Sequence, residues 1–355
     1  MRSGPVAVTV EPMAEPDQFT HRFPDGFPGQ VGPAITADTL RDAVTADDPR
    51  RPRLLQHHEL LLITAGHGSH DLDFVTYPCR PGTLLRAYAG QVTRPGGQQG
   101  LDAIVVRWRA DDATSMEPAH DPGSGAPTCW QLAGEDADAI ITEVSQLVVD
   151  SRRPRRSALV DDLLRHQLRV LLLRIALLAE DDPAGAGAGA GRASSEPGNG
   201  PGGSGPGASG ADPAGGSSRR ETFRRFRAEV ERDYARTRRV EEYAERLQCA
   251  VRTLTRASLD VAGRTAKQVI DDRVALQAKR LLAATTLPVA EVGQRLGFAE
   301  PTNFGRFFQR EVGCSPGSFR AEVVDGPPVT DRVAATGMIG TCRSPRVATM
   351  RYEQH

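Results

Sequence analysis

Aromatic residues are scarce in this 355-residue chain: Phe, Trp and Tyr make up only 5% of it. Lysine is scarcer, with only Lys267 and Lys279, so arginine carries nearly all the positive charge. No uncharged apolar run approaches the ~18 residues a membrane helix requires, so no helical span and no membrane partner are expected. The cysteines Cys79, Cys129, Cys249, Cys314 and Cys342 form no CxxC pair and are odd in number, which argues against a disulfide framework. No secretory leader is apparent, so a cytoplasmic protein with free thiols is expected.

Glycine (36) and proline (26) are plentiful, so much of the chain is loop or linker, and its length leaves room for two or three domains. The overall net charge of −1 hides a split. Residues 219–324 hold 21 basic against 14 acidic side chains, whereas residues 1–218 hold 19 against 28. A basic C-terminal segment suits a polyanionic partner, and the acidic remainder does not.

The most informative stretch runs from Leu287 to Arg320. Val289, Val292, Leu296, Phe304 and Phe308 are apolar at helical spacing, in two runs broken at Gly297-Phe298. Gly297 can end a helix in the left-handed conformation, and Pro301 suits the first position of a new one. A helix, tight turn, helix unit can place its second helix in the DNA major groove. That second helix carries Thr302, Asn303, Arg306 and Arg310, groups that hydrogen-bond base edges or phosphates. The pattern G-F-x-x-x-x-x-F-x-R-x-F, then G-x-S-P and F-R, fills Val289 to Arg320 without a gap. It resembles the second helix-turn-helix of the AraC/XylS class of bacterial transcription regulators.

Val240 to Gly263 resembles the first helix-turn-helix of that class, with A-x-x-L, a turn, then R-T-L-x-R and a closing glycine. It departs from the class in three places. Gln248 stands where the turn usually carries glycine, Ala250 where a serine caps the second helix, and Ser258 where an aromatic is buried. A lost cap costs about 1 kcal/mol, so the first unit is expected to be the looser one. Thr265 to Ala284 predicts one helix of about 30 Å. One turn of B-DNA is about 34 Å, so a helix of that length can hold two reading helices over successive major grooves. Arg252 and Arg256, assisted by Thr253 and Thr255, are the expected base readers of the first unit, because arginine forks match guanine. Thr302, Asn303 and Arg306 take that role in the second. Arg310, Lys267 and Arg264 are expected to meet phosphates.

Leu54 to Arg109 changes to short β-like runs: Leu54-Leu55, Leu60 to Thr64, Leu72 to Tyr77, Thr83 to Tyr88 and Ile104 to Trp108. They predict a small β-sandwich or barrel. His57-His58-Glu59-Leu60, a turn at Gly66 to Gly68, Arg80-Pro81-Gly82 and Gly90-Gln91-Val92 resemble the cupin-like sensor domain common in the AraC/XylS class. That resemblance implies a ligand pocket, for which His57, Glu59, His70 and Trp108 are the candidates. It raises a metal as well, but Thr93 stands where the class's late histidine would be, and a hydroxyl is no substitute for imidazole. No metal, no cofactor and no catalytic residue are therefore assigned.

The expected architecture is multidomain. Residues 1–134 form a cupin-like sensor, a small β-barrel preceded by a mobile arm. Residues 135–180 form a helical dimerisation or packing segment; Val160, Leu163, Leu164, Leu168, Leu171, Leu172, Ile175 and Leu178 make its apolar side. Residues 181–218 are a Gly/Ala/Ser/Pro tether, 219–324 an all-α DNA-binding domain with two helix-turn-helix motifs joined by a central helix, and 325–355 a disordered tail. The expected function is sequence-specific transcription regulation as an activator. The expected partners are double-stranded DNA, RNA polymerase, a small-molecule effector and a second copy of the chain. The alternative is a metal-dependent cupin enzyme fused to a DNA-binding module.

Overall fold

Two long strands organise the N-terminal half of the computed structural model, which describes residues 35–40, 51–109, 128–154, 157–180 and 213–325. The strands are β1 (Ile35–Thr39), β2 (Arg53–Leu54), β3 (His58–Leu72), β4 (Val75–Cys79), β5 (Thr83–Ala87), β6 (Val92–Trp108) and β7 (Cys129–Gln131). They form one antiparallel sheet in the order β1-β6-β3-β5-β7, with β2 also paired to β6 and β4 to β3. Along β3 the side-chain alternation splits two cores. Leu60 and Leu62 share a face with Leu84, Val106 and Trp108, while Leu61 and Ile63 share the other with Leu85, Ala103 and Val105.

The first face is covered by α1 (Gly134–Ser151) and α2 (Ala158–Glu180), through Ile140, Val144 and Leu147 of α1 and Leu164, Leu168, Leu171, Leu172 and Ile175 of α2. This sheet is not the closed barrel expected. Closure requires the outermost strands to pair, and the strands at the two ends, β1 and β7, do not pair among the described residues. Register shifts near Ala65, His67 and His70 bend β3 and β6 together instead. Gly66 to Gly68 thus lies inside β3 and makes no turn. Gly66 has φ 75°, and a Cβ there would sit 2.2 Å from the Gly100 carbonyl oxygen of β6. The expected strand from Leu72 to Tyr77 is broken by a two-residue turn at Asp73-Phe74, and β7 lies outside the runs expected to be strands.

The helices of the C-terminal half are α3 (Pro213–Asp233), α4 (Val240–Arg246), α5 (Val251–Ala262), α6 (Ala266–Ala284), α7 (Val289–Arg295), α8 (Pro301–Val312) and α9 (Pro316–Asp325). They enclose one core around Phe226, Tyr243, Leu254, Ile270, Val274, Leu282, Val292, Phe304 and Phe308. Helix α6 opens with a capping box, Thr265 accepting from the Gln268 amide while the Gln268 side chain accepts from the Thr265 amide. The arm before residue 35, residues 181–212 of the expected tether and the tail beyond 325 lie outside the described residues. Helix α3 begins at Pro213, inside the stretch expected to be tether.

Cys79, Cys249 and Cys314 are free thiols, as expected. Cys129 corrects that expectation, because it is disulfide-bonded. A disulfide depends on two Cβ atoms approaching to about 4 Å in space, which spacing along the chain does not report.

Candidate nucleic-acid interface

Each helix-turn-helix is a 7-residue helix, a turn and a 12-residue helix. In the first, the turn between α4 and α5 runs through Gln248 at φ 52°. In the second, the turn between α7 and α8 runs through Gly297 at φ 76°. Both second helices stop at a left-handed glycine, Gly263 and Gly313, whose amides donate to Leu259 and Gln309. Ala250 caps α5 without a side-chain hydrogen bond, as the sequence implies. Glu300 caps α8 without one as well, so the missing cap does not distinguish the two units.

Burying Leu254, Ala257 and Ser258 on α5 turns Arg252, Thr253 and Arg256 outward, with Thr255 half-buried. Burying Phe304, Phe307 and Phe308 on α8 turns Thr302, Asn303, Arg306 and Arg310 outward. These outward side chains fall into two electrostatic classes. Arg252, Arg256 and Arg306 make no ion pair among the described residues. Arg310, Lys267 and Arg264 are already engaged. The buried Asp271 of α6 accepts from Lys267 and lies 3.5 Å from Arg310, which also donates to Glu311 at 2.7 Å. Arg264 sits 3.8 Å from Asp272. The sequence pattern did not single out Asp271, although its i,i+4 spacing from Lys267 is a readable signal.

Sequence reasoning also missed Arg238, which precedes α4. Its guanidinium stacks 3.6 Å from the Phe298 ring centroid, beneath the turn of the second unit, and donates to the Gly297 carbonyl at 3.5 Å. A Cβ on Gly297 would lie 2.3 Å from the Ala235 carbonyl oxygen. The segment ahead of the first unit therefore fixes the turn of the second, and that link is invisible to a motif read one unit at a time.

A family model described as a helix-turn-helix domain matches residues 243–322. The arabinose operon regulatory protein of Escherichia coli is 45% identical over 51 residues, 14% of this chain and 17% of that protein. The RCS-specific HTH-type transcriptional activator RclR of Escherichia coli is 34% identical over 64 residues, 18% of this chain and 22% of that protein. Over residues 243–322 the chain is similar to the helix-turn-helix region of AraC-type regulators. The matches span only 17% to 22% of the length of these curated relatives. Among solved structures, ToxT from Vibrio cholerae O395 aligns over 82% of this chain and 98% of its own at 11% identity, with a TM-score of 0.40. The C-terminal domain of AraT from Geobacillus stearothermophilus aligns over 28% of this chain and 83% of its own at 25% identity, with a TM-score of 0.27.

In the sheet, the four expected pocket residues do not converge. Trp108 is fully buried on the helix-covered face, while Glu59 alternates with Leu60 to the opposite face and is held by Arg53 at 3.4 Å and Arg107 at 3.7 Å. His57 lies before β3 and is half-buried, its pKa lowered by burial and by Arg107 and Arg109. His70 sits at the far end of β3, where Nε2 shares a 2.6 Å hydrogen bond with Thr93 Oγ1. Burial, with the Arg53 charge, pushes its pKa down to about 4, so it is neutral near pH 7. Thr93 therefore satisfies the buried imidazole. Among the described residues, no group of three or more His, Cys, Asp and Glu side chains is placed to hold a metal. None of the described helices is long and apolar enough to cross a membrane.

Proposed function

We propose that this chain is a cytoplasmic, homodimeric activator that reads DNA with α5 and α8 and responds to a small-molecule effector. The observation that carries the DNA reading is the division of the outward arginines. Arg252, Arg256 and Arg306 present guanidinium groups with no ion pair among the described residues, which suits guanine edges. Arg310, Lys267 and Arg264 are held in place by acidic neighbours, which suits positioned phosphate contacts. Helix α6 has 19 residues, about 28 Å at 1.5 Å per residue, and this supports placing the two reading helices in successive grooves.

The dimer reading rests on α2. The apolar side expected to pair two copies is largely spent on the chain's own sheet, but a second stripe faces solvent: Leu159, Leu163, Val170, Leu173 and Leu177, with His166 between. These positions alternate by four and three residues, the spacing of a coiled-coil seam. An antiparallel copy sets Leu159 against Leu177 and Leu163 against Leu173, a self-complementary pairing of the kind a two-fold dimer uses. Effector sensing is supported by a cleft of about 510 Å³ lined by Tyr88, Gln91, Arg227 and Arg273 among others, a volume suited to a small molecule. Recruitment of RNA polymerase completes the activator reading.

DNA-affinity selection with the full chain tests the central claim. A single enriched motif with two base-specific blocks about one helical turn apart supports it, and enrichment of no sequence above background sinks it. Sedimentation of the chain and its Leu163→Glu variant tests the dimer: a dimer that becomes monomeric in the variant is expected, and a monomeric parent chain removes this part. A thermal-shift screen of metabolites on the full chain tests sensing, since a ligand of the folded state raises Tm by mass action.

A further inference from the structure

The turn between β3 and β4 carries one residue that is wrong for its shape, Phe74. Asp73 has φ 48° and Phe74 has φ 69°, so both central positions are left-handed. Such turns favour Asn-Gly or Asp-Gly, and a bulky aromatic in that region is a genuine outlier. Local strain of this kind persists only where surrounding contacts over-determine it, and here those contacts come from the DNA-binding domain.

Arg280 of α6 donates to Asp73 through Nε at 2.9 Å and Nη2 at 2.6 Å, a bidentate pair with both side chains nearly buried. Asp73 is anchored in turn by Gln91 Nε2 at 2.7 Å and the Val92 amide at 3.0 Å. Phe74 packs against the helical core. Its ring lies 5.6 Å from that of Phe319 on α9, with Lys279 Nζ 4.4 Å from its centroid. Burial lowers the Lys279 pKa. A second contact lies alongside, where Arg94 of β6 is held by Asp71 and donates to the Val323 carbonyl of α9 at 3.3 Å. The rings continue inward, Phe319 to Phe308 at 5.5 Å and Phe308 to Phe304 at 5.9 Å, and these last two form the buried face of α8.

We propose that the Asp73-Phe74 tip is an interdomain latch: the surface through which the sheet holds the second DNA-reading unit in one position. The latch covers none of the outward side chains of α5 or α8, so it positions the reader without blocking it. Phe74 and Asp73 are positioning residues, acting through Phe319 and Arg280.

The test is amide hydrogen exchange on the full chain, with one variant on each side of the contact. Phe74→Gly removes the ring and at the same time supplies the residue the turn prefers, so the hairpin stays folded. It should speed exchange about tenfold in α9 and the last turn of α6, and leave α4 and α5 unchanged. Arg280→Gln should speed exchange in the β3–β4 hairpin, a different domain from the substitution. Reciprocal loss of protection supports the latch. Loss confined to the mutated side, or no change in either variant, overturns it.

Discussion

Helices α5 and α8 are each 12 residues long and each ends at a left-handed glycine, yet their buried faces share no residue type. Helix α8 buries Phe304, Phe307 and Phe308. At the matching positions α5 buries Leu254, Ala257 and Ser258, and the Ser258 hydroxyl donates back to the Leu254 carbonyl at 2.8 Å. The missing volume is supplied from outside the motif. Helix α3 packs on α5 and brings Phe223 and Phe226, and Phe226 meets Tyr243 of α4 edge-on at 5.8 Å. The second unit carries its own core, whereas the first borrows one. The turns differ in the same direction. Gly297 occupies a position where any Cβ collides with the Ala235 carbonyl, while Gln248 holds a left-handed conformation despite its side chain. A backbone plan can thus be kept while the residues that enforce it move to another helix.

The largest expected effects probe that exchange. Phe308→Ala should cost about 3–5 kcal/mol of stability, and Phe226→Ala on α3 about as much, because both empty the same kind of core. Ser258→Ala should cost less than about 1 kcal/mol, since it removes one local hydrogen bond. Urea denaturation of the three variants measures this, and a near-neutral Phe226→Ala would break the idea of a borrowed core. Next come the turns. Gly297→Ala combines a left-handed penalty with a steric overlap and should destabilise by about 2–4 kcal/mol. Gln248→Gly should stabilise by up to about 1 kcal/mol. Thermal melts that move both variants the same way would erase the distinction between the two turns.

Smaller effects belong to DNA contact. Arg306→Ala should weaken the selected site by about 1–3 kcal/mol and relax preference at one or two base pairs. Arg256→Ala should do the same to an equal or lesser extent, because its helix rests on the borrowed core. Titrations against selected and scrambled duplexes separate base readers from phosphate contacts, and equal losses on both would make these arginines phosphate contacts. Arg310→Ala should weaken all DNA alike and flatten the salt dependence by about one unit of slope. That loss is tempered, because in the free protein Arg310 is partly satisfied by Asp271 and Glu311.

The helical domain was legible in the sequence because its signals are local. The 3.6-residue spacing of Val292, Leu296, Phe304 and Phe308, with glycines at the helix ends, marks both the elements and the outward faces. Gln248 was readable as an oddity, and its φ of 52° bears that out. The supposed contrast in caps was misread, since α8 lacks a side-chain cap too. The sheet was less legible. Five short runs marked most strands, but whether a sheet closes depends on which strands become its edges, and that is a property of long-range pairing. The pocket candidates came from the resemblance to a cupin-like sensor, yet alternation along β3 sends Glu59 to the face opposite Trp108. Neither the Phe74 contact nor the Arg238 stack leaves any trace in sequence spacing, because each joins elements far apart in the chain.

The sheet's pairing has a consequence for how the chain comes off the ribosome. Strand β1 pairs with β6, Ile35 facing Trp108. At 5–20 residues per second, β1 waits roughly 4–14 s for its partner to be synthesised. Throughout that interval its backbone groups are an open template for a neighbouring chain. The helical domain closes over contacts that are near in sequence and folds fast once it emerges. Substitutions that weaken β1 should therefore appear first as lost soluble yield during synthesis, with the DNA affinity of the surviving molecules unchanged.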